Sequence, residues 1–448
     1  MDFTGLFAQF GGGAVMLVAF IVALSVIVAV HEYGHYIVAR WSGIKAEVFS
    51  IGFGPVLWSR MDKRGTRWQI AALPFGGYVK FLGDSGAASG KDEAAMAEMA
   101  TQERRHSMHG APLWARAATA AAGPVFNFIL SMLVFAGVIL TQGETREPLT
   151  VGVLRPLPGV VNQLQPGDEI LAVAGLEMPG TGDEATSNAF ENGLPETRQL
   201  DYTVLRDGAK TTVDGPYLYP PIVTQLAAKS AAYAAGLEPG DVITAVDGTP
   251  IFAFDQLKER VEGGDGKALQ LEIWRDGARE DFTLVPRRSD EPQVDGGFVT
   301  NWRIGILGGL AFEPATTTPG VGEALWQGVE QTGRIITGSI SGLWYMATGA
   351  ISSCNMSGAI TIAQVSGQMA SQGAQSFIWF IAVLSTAVGL LNLFPIPVLD
   401  GGHLMFYAYE AVAGRPPSDK VLRVLMTIGL TVVLAVMVFA LTNDIVCP

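Results

Sequence analysis

Residues 31–35 read His-Glu-Tyr-Gly-His. On a helix the two histidines are four apart and stack on one face. That is the geometry for two imidazoles to share one zinc ion, with Glu32 beside them as general base for a water on the metal. The same five residues also occur as two surface histidines on an ordinary helix, and the setting separates the two readings. Residues 14–30, AVMLVAFIVALSVIVAV, have Ser25 as their only polar side chain. Continued to Ala39, the run is long enough to cross a bilayer, which takes about 20 residues. Titratable side chains at the end of such a run are expensive in hydrocarbon and mark a functional site.

A second chemically loaded stretch lies near the other end of the chain: Leu391-Asn392-Leu393-Phe394-Pro395-Ile396-Pro397-Val398-Leu399-Asp400-Gly401-Gly402-His403. Two prolines and two glycines cannot continue a regular helix. Irregular backbone at membrane depth is tolerated only where it is packed in protein or lines a cavity, and a carboxylate there needs a partner. Asp400 is therefore expected to be the third zinc ligand, leaving the fourth position for water; two histidines and one carboxylate suit a catalytic zinc better than a closed structural one. Asn127 is expected to bridge two helices and His106 and His109 to be solvated. For His403, packing near a helix start is preferred over a place behind the metal ligands.

The elements that must position these groups are read from composition and charge. The chain has 448 residues, 49% hydrophobic and 16% charged, with a net charge of −13 that argues against nucleic-acid binding. Two cysteines, Cys354 and Cys447, are expected to give no disulfide framework and no cysteine zinc site. The first apolar run has no basic n-region and leads into the metal motif, so it is not expected to be a cleaved signal peptide. Four spanning helices are expected at about Ala14–Ala39, Ala117–Leu140, Ser376–Leu393 and Val421–Leu441. Basic residues concentrate between the first two (Arg40 to Arg116) and between the last two (Arg415, Lys420, Arg423). Both loops are then cytoplasmic and both termini outside. The Gly-, Ser- and Thr-rich stretch at about 321–373 reads as interfacial helices, not a fifth span.

In the first loop, GFGP (52–55) and PFGG (74–77) flank a strand-like run, Thr66-Arg67-Trp68-Gln69-Ile70-Ala71-Ala72. This predicts a hairpin whose exposed edge could hold an extended substrate, or else a merely solvated hairpin. Ser85–Met99 is Ala-, Gly- and Glu-rich and expected to be mobile. Residues 141–320 carry 27 acidic and 14 basic side chains, which accounts for the whole net charge. They also contain a repeat: Pro166-Gly167-Asp168-Glu169-Ile170 returns as Pro239-Gly240-Asp241-Val242-Ile243. The second copy, with Ala231–Ala235 before it, resembles a PDZ domain, while the first lacks the Ala-rich helix. The pair either binds peptides by strand addition or serves as a plug or size filter.

HEYGH, GFGP…PFGGYVK, AAGPVFNF, the tandem PDZ-like repeat and NLFPIPVLDGGH, in that order over almost the whole chain, together resemble the site-2 protease intramembrane metalloproteases, the bacterial regulator-of-sigma-E protease group in particular. The resemblance implies one catalytic Zn2+ held by His31, His35 and Asp400, with Glu32 as catalytic base and Asn392 holding the substrate strand. Thr66, Arg67, Trp68, Gln69 and Ile70 supply the strand edge of the hairpin reading. The family substrate is itself a membrane-spanning segment, such as a trimmed anti-sigma factor or a signal-peptide remnant. Ala359 stands where the family usually has proline.

The expected fold is a polytopic α-helical membrane protein with about four transmembrane helices, a membrane-associated β-hairpin loop and two tandem periplasmic PDZ-like, β-rich α+β domains. It divides at 1–140, 141–213, 214–310, 311–375 and 376–448. The expected location is the bacterial inner membrane; the expected partners are the bilayer, single-pass substrates and peptide ligands of the PDZ pair, with no nucleic acid. Rival readings are a membrane-anchored PDZ scaffold with a non-catalytic metal site and a tethered protease for soluble substrates.

Overall fold

The protein is described by a computed structural model that covers residues 3–84, 96, 98–180, 184–293 and 297–447; most of the Ser85–Met99 stretch therefore lies outside the described residues. The chain divides into two compact units: Met1–Val138 with Val321–Pro448, and Ile139–Gly320.

The first unit contains α1 (Phe3–Trp41), β1 (Ala46–Met61), β2 (Arg67–Phe81), α2 (Leu113–Gln142), α3 (Val321–Ala347), α4 (Ala359–Ser371), α5 (Ala374–Asn392), α6 (Asp400–Ala413) and α7 (Asp419–Val446). Among the described residues four helices are long and apolar enough to cross a membrane: Gly13–Trp41, Leu113–Gln142, Ala374–Asn392 and Asp419–Val446. Their packing is inside out relative to a water-soluble bundle. Valines, leucines and isoleucines of α7 from Val421 to Val438 face outward, while Thr119, Asn127, Ser131, Ser385 and Thr386 are buried. The buried hydroxyls tie helices together: Ser131 Oγ donates to Ala382 O at 2.8 Å and Ser385 Oγ to Asn127 O at 2.9 Å. Small residues and interhelical hydrogen bonds are what hold helices together where hydrocarbon supplies no hydrophobic drive.

Between α1 and α2 the expected hairpin is a more complex sheet. Residues 48–51 are paired on both sides, with Gly77–Lys80 and with Arg67–Ile70, and Arg67–Ile70 pair in turn with Trp58–Met61. The two long strands thus fold into four ribbons in the order 77–81, 46–51, 67–71, 56–61. The sharp reversal needs Gly52, whose φ of +91° suits no side chain and whose Cβ would lie 2.8 Å from Leu73 O. This corrects the edge expected at Thr66–Ile70. Thr66 and Gln69 are buried, donating to Ala46 O and Ser50 Oγ, Trp68 packs against Phe49 and meets Tyr36 edge to face, and the ribbon is enclosed on both sides. A strand-like run does not reveal from sequence which neighbours will flank it.

The cysteine expectation is also corrected: Cys354 and Cys447 form a disulfide. Their 93-residue separation hides the contact, which the return of α7 creates. Asn443 Nδ2 donates to Ser353 O at 2.7 Å, and the Asp444 carboxylate takes the Gly358, Ile360 and Thr361 N–H groups that open α4.

The second unit contains two sheets of the same strand order. The first runs Leu176–Glu177, Glu169–Val173, Gln199–Arg206, Ala209–Pro216; the second runs Thr249–Pro250, Val242–Val246, Leu269–Arg275, Ala278–Leu284. The repeated aspartates do the same job in each. Asp168 makes a two-pronged ion pair with Arg206 at 2.7 Å, and Asp241 pairs with Arg275 at 2.6 and 2.7 Å. The expected boundary at 310/311 is corrected. Phe312–Pro314 pairs with Val151–Leu154 and Thr316–Thr317 with Glu144–Thr145, so the chain returns to complete the first repeat after finishing the second. Buried Ala311 and Phe312 belong to the core of that first repeat.

The four-ribbon sheet is moored to α1 through Asp62, which accepts the N–H groups of Arg64 and Thr66 at 2.8 and 2.9 Å and faces Arg40 Nη1 at 3.3 Å. Partial burial raises the Asp62 carboxyl, but the Thr66 and Arg64 N–H bonds outweigh it and hold the group down at about 2. A carboxyl depressed on folding stabilises above its unfolded value of about 3.9 and loses that contribution as pH falls through its folded value. Asp62→Ala should therefore accelerate amide exchange in residues 46–51 and 77–81 at pH 7 by about tenfold, and the difference from wild type should vanish near pH 2.

Candidate active site

Two glycines make the site. Gly34 of α1 and Gly123 of α2 face each other's helices. A Cβ on Gly34 would lie 2.6 Å from Ala122 O, and one on Gly123 would lie 2.4 Å from His35 Nε2 and 2.7 Å from His31 Cε1. With hydrogen alone at both positions, α2 passes directly against the two imidazoles.

His31 and His35 then converge with Asp400, the first residue of α6. The two Nε2 atoms are 3.1 Å apart; His31 Nε2 is 3.2 Å from Asp400 Oδ2 and His35 Nε2 is 3.5 Å from Oδ1. One ligand atom from each of the three side chains lies within 4.8 Å of the others, a spacing a small cation such as zinc could bridge. Asp400 Oδ2 is buried and accepts no hydrogen bond. The three side chains could hold a metal ion, and they form the one such His/Cys/Asp/Glu group among the described residues.

Behind this triad stands one stripe of α2, spaced three, four and four residues apart: Arg116, Thr119, Gly123, Asn127. Thr119 O lies 2.7 Å from His35 Nδ1. A carbonyl only accepts, so His35 Nδ1 carries the proton and Nε2 presents its lone pair. Asn127 Nδ2 lies 3.2 Å from His31 Nδ1. Arg116 makes a two-pronged ion pair with Glu410 of α6 at 2.6 and 3.0 Å and stacks on Tyr407. A single helix thus touches His31 and His35 directly and braces the helix that begins with Asp400.

A cavity of about 760 Å3 opens from the triad. His31, Glu32, His35, Gly77, Tyr78, Val79, Asn392, Asp400 and His403 are among its lining residues. Seven of the residues singled out in sequence therefore share one space: His31, Glu32, His35, His109, Asn392, Asp400 and His403. Thr66, Arg67, Trp68, Gln69 and Ile70 are not in it; the ribbon that reaches the cavity is 77–81, where Val79 N–H donates to the Glu32 carboxylate. That ribbon, Thr119 and the Arg116–Glu410 pair are not evident from the sequence, where PFGG stands only as a flank of the strand-like run. Asn127 bridges α1 and α2 as expected, and does so at an imidazole. His109 is not simply solvated: it lies 3.3 Å from buried Asp84 and lines the same cavity.

The sequence profile of peptidase family M50 matches residues 19–436. The chain belongs to peptidase family M50. Three relatives bear on it. A candidate zinc metalloprotease of Agrobacterium fabrum is 36% identical over 437 residues, covering 96% of this chain and 95% of the relative. The regulator of sigma-E protease RseP of Salmonella typhimurium is 34% identical over 458 residues, covering 96% and 98%. The corresponding protein of Salmonella typhi is equally similar, at 34%. This M50 peptidase is a metalloprotease, and its four apolar helices make it a membrane protein.

Gly123→Ala should displace the imidazoles and lower peptidase activity by about 100-fold, the usual cost of misplacing a site by about an ångström. Gly137→Ala on the same helix meets no atom within 4 Å and should leave activity unchanged.

Proposed function

We propose that this M50 peptidase is a zinc-dependent endopeptidase of the bacterial inner membrane that cuts membrane-spanning segments of other proteins. The observation that carries the reading is the convergence of His31, His35 and Asp400, with Glu32 beside them, inside a bundle whose outer faces are apolar. A scaffold needs no such convergence. The names of the relatives support zinc, and the sigma-E regulator proteases among them support a single-pass substrate such as an anti-sigma factor or a signal-peptide remnant.

In this reading His31, His35 and Asp400 would hold one zinc ion, which when bound would supply Lewis acidity toward a carbonyl and a water. Glu32 accepts a proton from the attacking water and delivers it to the leaving amide nitrogen. The Val79 N–H bond aims the carboxylate. A helical substrate hides its carbonyls in its own hydrogen bonds and must unwind to be cut. The ribbon 77–81 supports this step: among the described residues no strand pairs with its cavity edge, so an unwound segment can add there, with the Asn392 carboxamide as a further polar hold.

The two repeats of 139–320 act as PDZ-like domains on the periplasmic side. The charge distribution of the loops supports both termini there, and so does the Cys354–Cys447 disulfide, since such bonds persist in oxidising compartments.

Glu32→Gln removes the base but none of the three metal donors. In purified protein it should retain wild-type zinc content and lose cleavage of a membrane-span substrate by about 100-fold or more. Full cleavage by the variant would end the proposal.

A further inference from the structure

The two histidines of the triad are held differently. His35 Nδ1 faces a backbone carbonyl, Thr119 O. His31 Nδ1 faces the side chain of Asn127, which is completely buried. The backbone oxygen of Asn127 takes the Ser131 and Ser385 hydroxyls, but its side-chain Oδ1 is buried with no hydrogen-bond partner.

An imidazole can give a metal its Nε2 lone pair only when the ring proton sits on Nδ1, and that proton needs an acceptor. A half turn of the Asn127 amide exchanges two groups of nearly equal size. It brings Oδ1 to His31 Nδ1, where it accepts the proton, and carries Nδ2 to the position now held by the unpartnered oxygen. Among the described residues no backbone carbonyl accepts from that nitrogen.

We propose that Asn127 is a positioning residue for His31: its Oδ1 takes the Nδ1 proton and so fixes the tautomer in which Nε2 is free to bind a cation. The inference rests on the zinc reading above. The backbone oxygen of Asn127 already ties α2 to α5 through Ser385, and the side chain is left to meet α1 at His31. A carboxamide also adds no charge. A carboxylate at this position would give the same acceptor along with a second buried negative charge beside Asp400.

The test uses the full-length protein purified in detergent, with zinc affinity measured by chelator competition and thermal stability measured separately in excess chelator. Asn127→Leu removes the acceptor at similar volume and should weaken zinc binding by about 10–100-fold, the usual cost of losing such a partner. Asn127→Asp keeps an oxygen in place and adds a negative charge that favours a cation, so it should bind zinc no more than about threefold more weakly than wild type. In chelator the two variants should melt together. Wild-type affinity in Asn127→Leu overturns the assignment. Equal loss in the Asp and Leu variants overturns it too, since the acceptor is retained in one. Should the Leu variant fail to fold, the Asp variant alone decides: a loss of tenfold or more would refute the role. If the wild-type protein itself binds no zinc, the underlying metal reading fails, a result distinguishable from all of these.

Discussion

Two imidazoles and a carboxylate from opposite ends of the chain can share a point only because α1 and α2 cross with no side chain between them. Gly34 and Gly123 set that distance, and the rest of the site inherits it. Once α2 lies against the rings, Thr119 O falls on one Nδ1 and the Asn127 carboxamide on the other. A helix crossing this close cannot be held by interdigitated leucines. Ser131 and Ser385 hold α2 against α5 with short hydrogen bonds to backbone carbonyls instead, the kind of contact that works where the surroundings are as apolar as the protein.

The four-ribbon sheet solves a different problem. An open sheet has two edges, and an unpaired edge recruits strands indiscriminately. Here the two edges have different surroundings. The 56–61 ribbon exposes Val56, Leu57, Trp58 and Met61, side chains suited to an apolar or interfacial boundary. The 77–81 ribbon looks into the cavity beside Glu32. Asp62 moors the assembly to the end of the same helix that carries Glu32 and the histidines.

Much of this was legible in the sequence because hydrocarbon makes polar residues conspicuous. His31, Glu32 and His35 ending an apolar run, and Asp400 after a proline-broken one, stand out without any knowledge of the fold; so does the Pro-Gly-Asp repeat. The illegible features depend on the return path of the chain. Thr66–Ile70 reads as strand from its own residues, but whether it lies at an edge is decided by residues 46–51 and 56–61 on either side. Cys354 and Cys447 read as unrelated until α7 brings them together. Residues 311–317 look like linker because their partners, 144–145 and 151–154, lie about 160 positions upstream. Asn127 was noticeable as a polar side chain in a span, but nothing local names its partner.

The break between α5 and α6 shows why the fold accepts irregular backbone beside a buried carboxylate. On an unbroken helix Asn392 and Asp400 would be about 12 Å apart along the axis. Ending α5 at Asn392 and restarting at Asp400 folds the interval back, so both line one cavity. The restart also places the carboxylate in the first turn of α6, where free N–H groups and the helix dipole favour negative charge. The far end of the same helix is gripped by Arg116 through Glu410. The Asp400 carboxylate is therefore located from both ends of α6, and one of those ends is fixed by the helix that also orients the two histidines.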